Sequence, residues 1–440
     1  MTHRLLLMPI LFACLVGRVP PTELLAQIAP RELQTRNMEL VGYNGEIAAK
    51  TPELIQLVVQ GDYAYIGSVY GPAGLFIVDI SDPSNPTLIA EFQQEDAETH
   101  DVKVNAEGTI AVLANQWVRP AEEGETQEDM TRISHLGLTL VDISDKRNPK
   151  LLSRWENHNS DGTPAPCHNV EIHGDFVYCA GLWWSDRGLV ILDISDPASP
   201  KEVAVVPTPE VAGAEGEDLP RWAKPEVYMH DIYLQLHPKL GRVFGYAAWW
   251  DAGLRVYDLT DPTSPLELVN WAWAEFGPAL QNTYFARPTP SGRLVVVVPA
   301  WGAEGGSGFG TGFLSILDLS DPDRVELLST WSIPGHDWMS WGGGSDLWWT
   351  LSNFDVTEER IYLANYAAGV WVIDISDPKD PYAVANFGPE SFQPPPPKPE
   401  GPTFWGEGYP YVHSVEEQDG LVYALDSKSG LYVLRVVEER

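Results

Sequence analysis

The chain has 440 residues, 44% of them hydrophobic, and sets 62 acidic against 28 basic residues for a net charge of −34. That charge repels nucleic-acid phosphates and anionic lipid surfaces, which excludes both as partners. Three cysteines with no zinc-type pairing, and no Ser-His-Asp order or paired catalytic carboxylates, leave composition silent on catalysis.

In chain order, Arg4 and the apolar run Leu5 to Val16 come first, too short to span a bilayer. They predict a secretory signal peptide over residues 1–26 and an extracytoplasmic location: periplasm, cell surface or secreted. Leu11-Phe12-Ala13-Cys14 is an imperfect lipobox, which would give Cys14 a lipid anchor; cleavage before Gln27 competes with it.

One motif then recurs seven times, as GLFIVDISDPSNP from Gly74, GLTLVDISDKRNP from Gly137, GLVILDISDPASP from Gly188 and GLRVYDLTDPTSP from Gly253. FLSILDLSDPDRV from Phe313, GVWVIDISDPKDP from Gly369 and a truncated GLYVLRV from Gly430 complete the set, at spacings of 63, 51, 65, 60, 56 and 61 residues. A repeat of this period is one supersecondary unit used many times. In the third copy, short runs rich in Val, Ile, Tyr and Leu are separated by His173-Gly174-Asp175 and Asp196-Pro197, which reads as four antiparallel strands. The prediction is an all-β, seven-bladed β-propeller over residues 27–440. Its blades are placed at about 55–92, 100–155, 168–206, 230–273, 281–331, 352–387 and 413–440. The last blade lacks a fourth strand, and Asn37 to Asn44 resembles one, so the N-terminal segment is expected to complete that blade and close the ring.

The Gly-Leu-x-[Ile/Leu/Val]-x-Asp core resembles the LVIVD-repeat family, over residues 37–440, with Arg435 replacing the aspartate in the seventh copy. The resemblance implies an extracytoplasmic propeller and no particular activity. The repeated Asp79, Asp142, Asp193, Asp258, Asp318 and Asp374 are read as turn-capping residues, without calcium. Cys167 and Cys179 fall at a diagonal offset on neighbouring strands and are expected to be two packed thiols.

Strand direction assigns the loops to two faces. The face holding the second-to-third-strand loops and the blade-to-blade connections varies, and it gathers Trp117, Trp183, Trp184, Trp249, Trp250 and Trp301. Such a face suits a protein, a glycan or a small-molecule ligand. Gly302 to Gly312 on it is not a phosphate loop, because no Gly-Lys-Ser/Thr follows.

The leading position of the innermost strands reads Ile55, His100, His168, His230, Gln281, Ser352 and His413, with His336 in a nearby connection. Two readings stay open. His100, His168, His230, His413 and His336 could hold a transition metal, copper or iron, for an oxidoreductase. That arrangement is similar in architecture to the carotenoid oxygenase and the selenium-binding or methanethiol oxidase propellers, though no motif of either is present. Alternatively the histidines form a buried inter-blade network, as a histidine at that position does in WD40 repeats; His168 alternates with Val170 and Ile172 on one strand face.

Overall fold

In a computed structural model the structure describes residues 35–69, 73–116, 134–182, 185–210, 226–273, 283–299, 313–334, 351–366, 368–388 and 410–437. By its contacts the chain divides into Met1–Leu33, which lies outside the described residues, and Gln34–Arg440. The second unit is seven four-stranded antiparallel sheets. It is a seven-bladed β-propeller.

The first strand of each blade is Glu53–Gln60, Glu98–Val104, Asn169–His173, Asp231–Leu236, Thr283–Pro288, Phe354–Val356 and Val412–Gln418 in turn. Each touches the first strands on both sides, and the seventh touches the first, so these strands line the axis of a closed ring. The repeat motif forms the third strand and is buried almost throughout; Leu189 to Leu192, for example, packs in the cores on both sides of its blade. At its end the predicted capping is present in six blades. Asp79, Asp142, Asp193, Asp258, Asp318 and Asp374 each accept the backbone N–H two residues on, at 2.8–3.0 Å. In the seventh copy Arg435 instead pairs with Glu39 at 2.7 Å.

Closure follows the expected route. Met38–Asn44 pairs antiparallel with Gly430–Val436, from Met38 opposite Val436 to Asn44 opposite Leu431. In blades 1 to 6 one extra residue bulges from the fourth strand against the third, as Ile89 does beside Ile77 and Val78. The N-terminal strand carries the same bulge, at Val41 between Leu40 and Gly42. It is therefore a fourth strand in detail as well as in position. Arg36 exchanges two backbone hydrogen bonds of 2.9 Å with Asn386 of blade 6, and Asn44 Nδ2 donates to Pro86 O of blade 1 at 2.9 Å.

Cys167 and Cys179 are joined by a disulfide, with Cα atoms 5.6 Å apart, and are not the two thiols expected. The diagonal argument assumed that Cys167 lies on a regular strand. The paired segment instead begins at Asn169 opposite Ala180, and Cys167 has turned to donate its N–H to Asn115 O of blade 2. Off the ladder, it can reach Cys179 within ordinary disulfide spacing.

A Cβ on Gly42 would lie 2.1 Å from Pro83 O in the turn of blade 1. Gly42→Ala is therefore expected to destabilise the ring by about 1–3 kcal/mol through overpacking at the seam, read as a lowered urea midpoint. An unchanged midpoint would mean that this strand does not dock where it is placed.

Candidate functional site

The chain enters each first strand from the variable face, so the residues leading those strands meet at one end of the axis, here called the mouth. Two backbone devices bring them there. In blades 3 and 4, His168 and His230 precede the strand, and each donates its N–H to an alanine carbonyl, Ala180 and Ala248, at 2.8 Å. In blades 2, 5 and 7 the ladder skips a residue: the register jumps from Thr99 to Asp101, from Thr283 to Phe285 and from Val412 to Ser414. The residues bulged out are His100, Tyr284 and His413. A bulge re-aims the side chain it carries. Blade 5 thus offers Tyr284 at the leading position, three residues after the expected Gln281, because its first strand starts only at Thr283; Gln281 itself lies outside the described residues.

Three of these histidines form a chain that crosses blades. Gln116 Nε2 lies 2.9 Å from His168 Nδ1, His168 Nε2 lies 2.8 Å from His230 Nε2, and His230 Nδ1 lies 2.9 Å from Tyr284 O. A backbone carbonyl only accepts, so His230 carries its proton on Nδ1 and accepts at Nε2. His168 must then donate from Nε2 and accept at Nδ1, which requires the Gln116 amide N–H in its present orientation. Each imidazole is satisfied in its neutral form, with the tautomers assigned from this network. His100 joins by its Nδ1, 3.2 Å from His168 O, and its ring lies 3.9 Å from that of His168. Burial pushes the His100 ring down to about 4 and that of His413 to about 3, and holds His168 and His230 well below the usual imidazole range.

The remaining arc of the mouth is aromatic. Tyr228 stacks on Trp250 at 4.8 Å, and Trp250 stands 6.0 Å from His230 and 6.1 Å from Tyr284. Tyr284 OH lies 3.3 Å from Tyr366 OH, and the Tyr366 ring is 5.4 Å from Tyr411 and 5.7 Å from His413. Trp250 and Tyr366 have φ of 40° and 21°, conformations a bulky residue adopts only when its surroundings impose them. In both cases the residue's carbonyl receives the N–H of the next blade's first strand, Thr283 at 2.9 Å and Val412 at 3.1 Å. Trp249 is fully buried in the core between blades 3 and 4. Trp117, Trp183, Trp184, Trp301 and His336 lie outside the described residues.

Deeper on the axis the same strands present charge. Lys103 Nζ lies 3.5 Å from Asp101 and 3.6 Å from Glu171. Asp101 accepts from Val170 N at 2.9 Å, Asn169 donates to Asp231 at 2.8 Å, and Arg287 donates to Asn353 at 2.8 Å. Asp355 accepts from Glu417 N at 2.9 Å and Glu416 from Val59 N at 2.7 Å, which brings the belt back to blade 1. Burial pushes Glu171 and Glu416 up to about 7. The period-two polar residues after the leading position, such as Asp101 and Lys103 or Asn169 and Glu171, were the sequence signal for this belt. Gln116 and Tyr366 left no such signal. Among the described residues no three His, Cys, Asp or Glu side chains converge in a metal-holding arrangement.

Five stretches of the chain, residues 55–93, 134–156, 167–208, 243–272 and 352–387, match the LVIVD repeat. No curated protein matches the chain in sequence. Among solved structures, the Cps50 (Swd1) β-propeller domain of Myceliophteria thermophila is similar with a TM-score of 0.54 at 15% identity, over 88% of this chain and 97% of that one. The periplasmic gluconolactonase PpgL of Pseudomonas aeruginosa is similar with a TM-score of 0.51 at 13% identity, over 76% of this chain and 84% of that one. At such identities the likeness is one of fold. The chain is thus a seven-bladed β-propeller that carries LVIVD repeats at five sites.

Proposed function

We propose that this protein is an exported binding propeller that takes its ligand at the mouth, on the ring formed by His100, His168, His230 and His413 with Trp250, Tyr284 and Tyr366. The observation that carries this reading is the pair of positive-φ aromatics, Trp250 and Tyr366, held at one end of the axis. Backbone strain of this kind costs about 1–3 kcal/mol per residue, and it collects at ligand sites. The neutral, hydrogen-bonded imidazoles add polar contacts without a net charge. Export is supported by the apolar segment after Arg4 and by the Cys167–Cys179 disulfide, which suits an oxidising compartment.

A second reading has one observation in its favour. The 2.8 Å between His168 Nε2 and His230 Nε2 is close to the separation of two imidazoles at a right angle on one ion, with bonds of about 2.0 Å. A copper or iron centre would have to break the hydrogen bond between them and recruit further donors. Metal analysis of protein purified from its native host separates the two: stoichiometric copper or iron supports the metal centre, and metal-free protein supports the hydrogen-bonded histidine chain.

In a thermal-shift screen of a small-molecule library, compounds that raise the melting temperature of the native protein are expected to lose that effect in Trp250→Ala. Compounds that stabilise both proteins equally would place binding elsewhere. The mature N-terminus in the native host is expected at Cys14 or Gln27, and protein that retains Met1 would overturn export. Because burial depresses the imidazoles, the unfolded chain takes up protons below about pH 6.5 that the folded site does not, and the His100 ring in particular stays neutral down to about pH 4. Their stabilisation is thus full above about 6.5 and lost as pH falls towards 4. His100→Asn is expected to flatten the decline of unfolding free energy across that window, measured by urea titration at each pH.

A further inference from the structure

The mouth also gathers buried polar groups that have no partner. Among the described residues, both polar atoms of the Asn365 amide, Thr283 Oγ1, Ser185 Oγ and Glu98 Oε2 make no hydrogen bond. Asn365 and Thr283 are 0% exposed, Glu98 5% and Ser185 6%. All four stand at the same end of the axis. Glu98 and Thr283 open the first strands of blades 2 and 5, Asn365 follows the second strand of blade 6, and Ser185 lies in the second-to-third loop of blade 3. Elsewhere among the described residues, single atoms of Gln60, Asn157, Thr208, Trp249, Arg255 and Arg287 also lack a partner, though the Gln60 amide nitrogen is bonded to Asn105 O and Ala106 O at 3.1 and 3.0 Å and the Arg287 guanidinium to Asn353 at 2.8 Å. A folded protein leaves few such groups, because each costs about 1–3 kcal/mol.

These groups alternate with the ring side chains. Thr283 precedes Tyr284, Asn365 precedes Tyr366, and Glu98 stands opposite Gln116, the residue that fixes the His168 tautomer. Direct cross-strand partners point to the same face of a sheet, so the Glu98 carboxyl and the Gln116 amide share a side. The nearest fixed charges at this end are already paired: Lys428 Nζ donates to Glu53 Oε1, both buried. The mouth therefore offers an amide that can donate and accept, hydroxyls that can do either, a carboxyl oxygen, neutral imidazoles and aromatic faces. Among the described residues it offers no unpaired cation for an anionic ligand, and the overall charge of −34 repels polyanions.

Resting on the reading of the mouth as the binding site, we propose that the ligand is an uncharged, polyhydroxylated ring compound, a saccharide. Its hydroxyls would satisfy Asn365, Thr283, Ser185 and Glu98, and its apolar C–H faces would lie on Trp250 and Tyr284. A site built on open polar groups discriminates against ligands that lack the matching hydroxyls, since those groups would then stay unpaired.

The test is titration calorimetry of the full chain with D-glucose, D-galactose, N-acetyl-D-glucosamine, maltose and cellobiose, with gluconate and glucosamine as charged counterparts. At least one uncharged sugar is expected to bind, with affinity falling roughly tenfold or more in Asn365→Leu and in Thr283→Val. Both variants remove a group that is unpaired in the ligand-free chain, so their melting temperatures are expected to hold or rise, which separates lost binding from lost fold. Binding of gluconate or glucosamine alone, abolished by Trp250→Ala, would overturn the saccharide class and leave the mouth as the site. A sugar bound equally by the native chain and both variants would overturn the assignment of these residues. No binding by any of the seven compounds would overturn the class, and a library screen without any Trp250-dependent compound would overturn the mouth reading with it.

Discussion

The pairing of Met38–Asn44 with Gly430–Val436 is the constraint on which the remainder of the structure depends. Six blades are contiguous in sequence; the seventh exists only when two segments almost 400 residues apart in the chain meet as neighbouring strands. Loop-closure entropy opposes that meeting, and hydrogen bonds to blade 6 through Arg36 and to blade 1 through Asn44 hold it in place. An open ring would leave two sheet edges unpaired and would let the first strands drift apart at the axis.

What lies on the axis inherits that dependence. The bonds from His100 to blade 3, from His168 to blade 4 and from His230 to blade 5 each cross a blade boundary, as do those of Asp101, Asn169, Arg287, Asp355 and Glu416 below them. The proposed site and the cohesion of the ring are therefore made of the same side chains. The inter-blade histidine network and a binding mouth, which sequence analysis set against each other, are compatible in this geometry. Neutral imidazoles can tie blades together through one nitrogen and a carbonyl and still present a ring to the axis.

The repeat made the fold legible because every blade writes the same third strand and the same Asp-Pro turn, and a missing fourth strand at one end pointed to its substitute at the other. Legibility stopped where single residues decide geometry. The bulges that expel His100, Tyr284 and His413 leave no periodic trace, and the first strand of blade 5 starts at Thr283 with Tyr284, not Gln281, as its leading residue. The disulfide was missed for the same reason, since Cys167 had left the ladder before the strand began. Gln116 and Tyr366 became visible only once residues from different blades lay a few ångströms apart, a relation that strand period does not encode.

The disulfide bears on more than folding. Its loop spans only 12 residues, so on loop entropy alone it contributes about 3 kcal/mol, a modest share for a ring of this size. Its location is more telling, because Cys167 is bonded through the backbone to His168, the central member of the imidazole chain. Material made in a reducing cytoplasm would keep its blades while releasing the tether behind that one ring. Preparations of identical sequence and similar melting behaviour could then differ in how firmly their innermost imidazoles are held, according to the thiol chemistry of the host that made them.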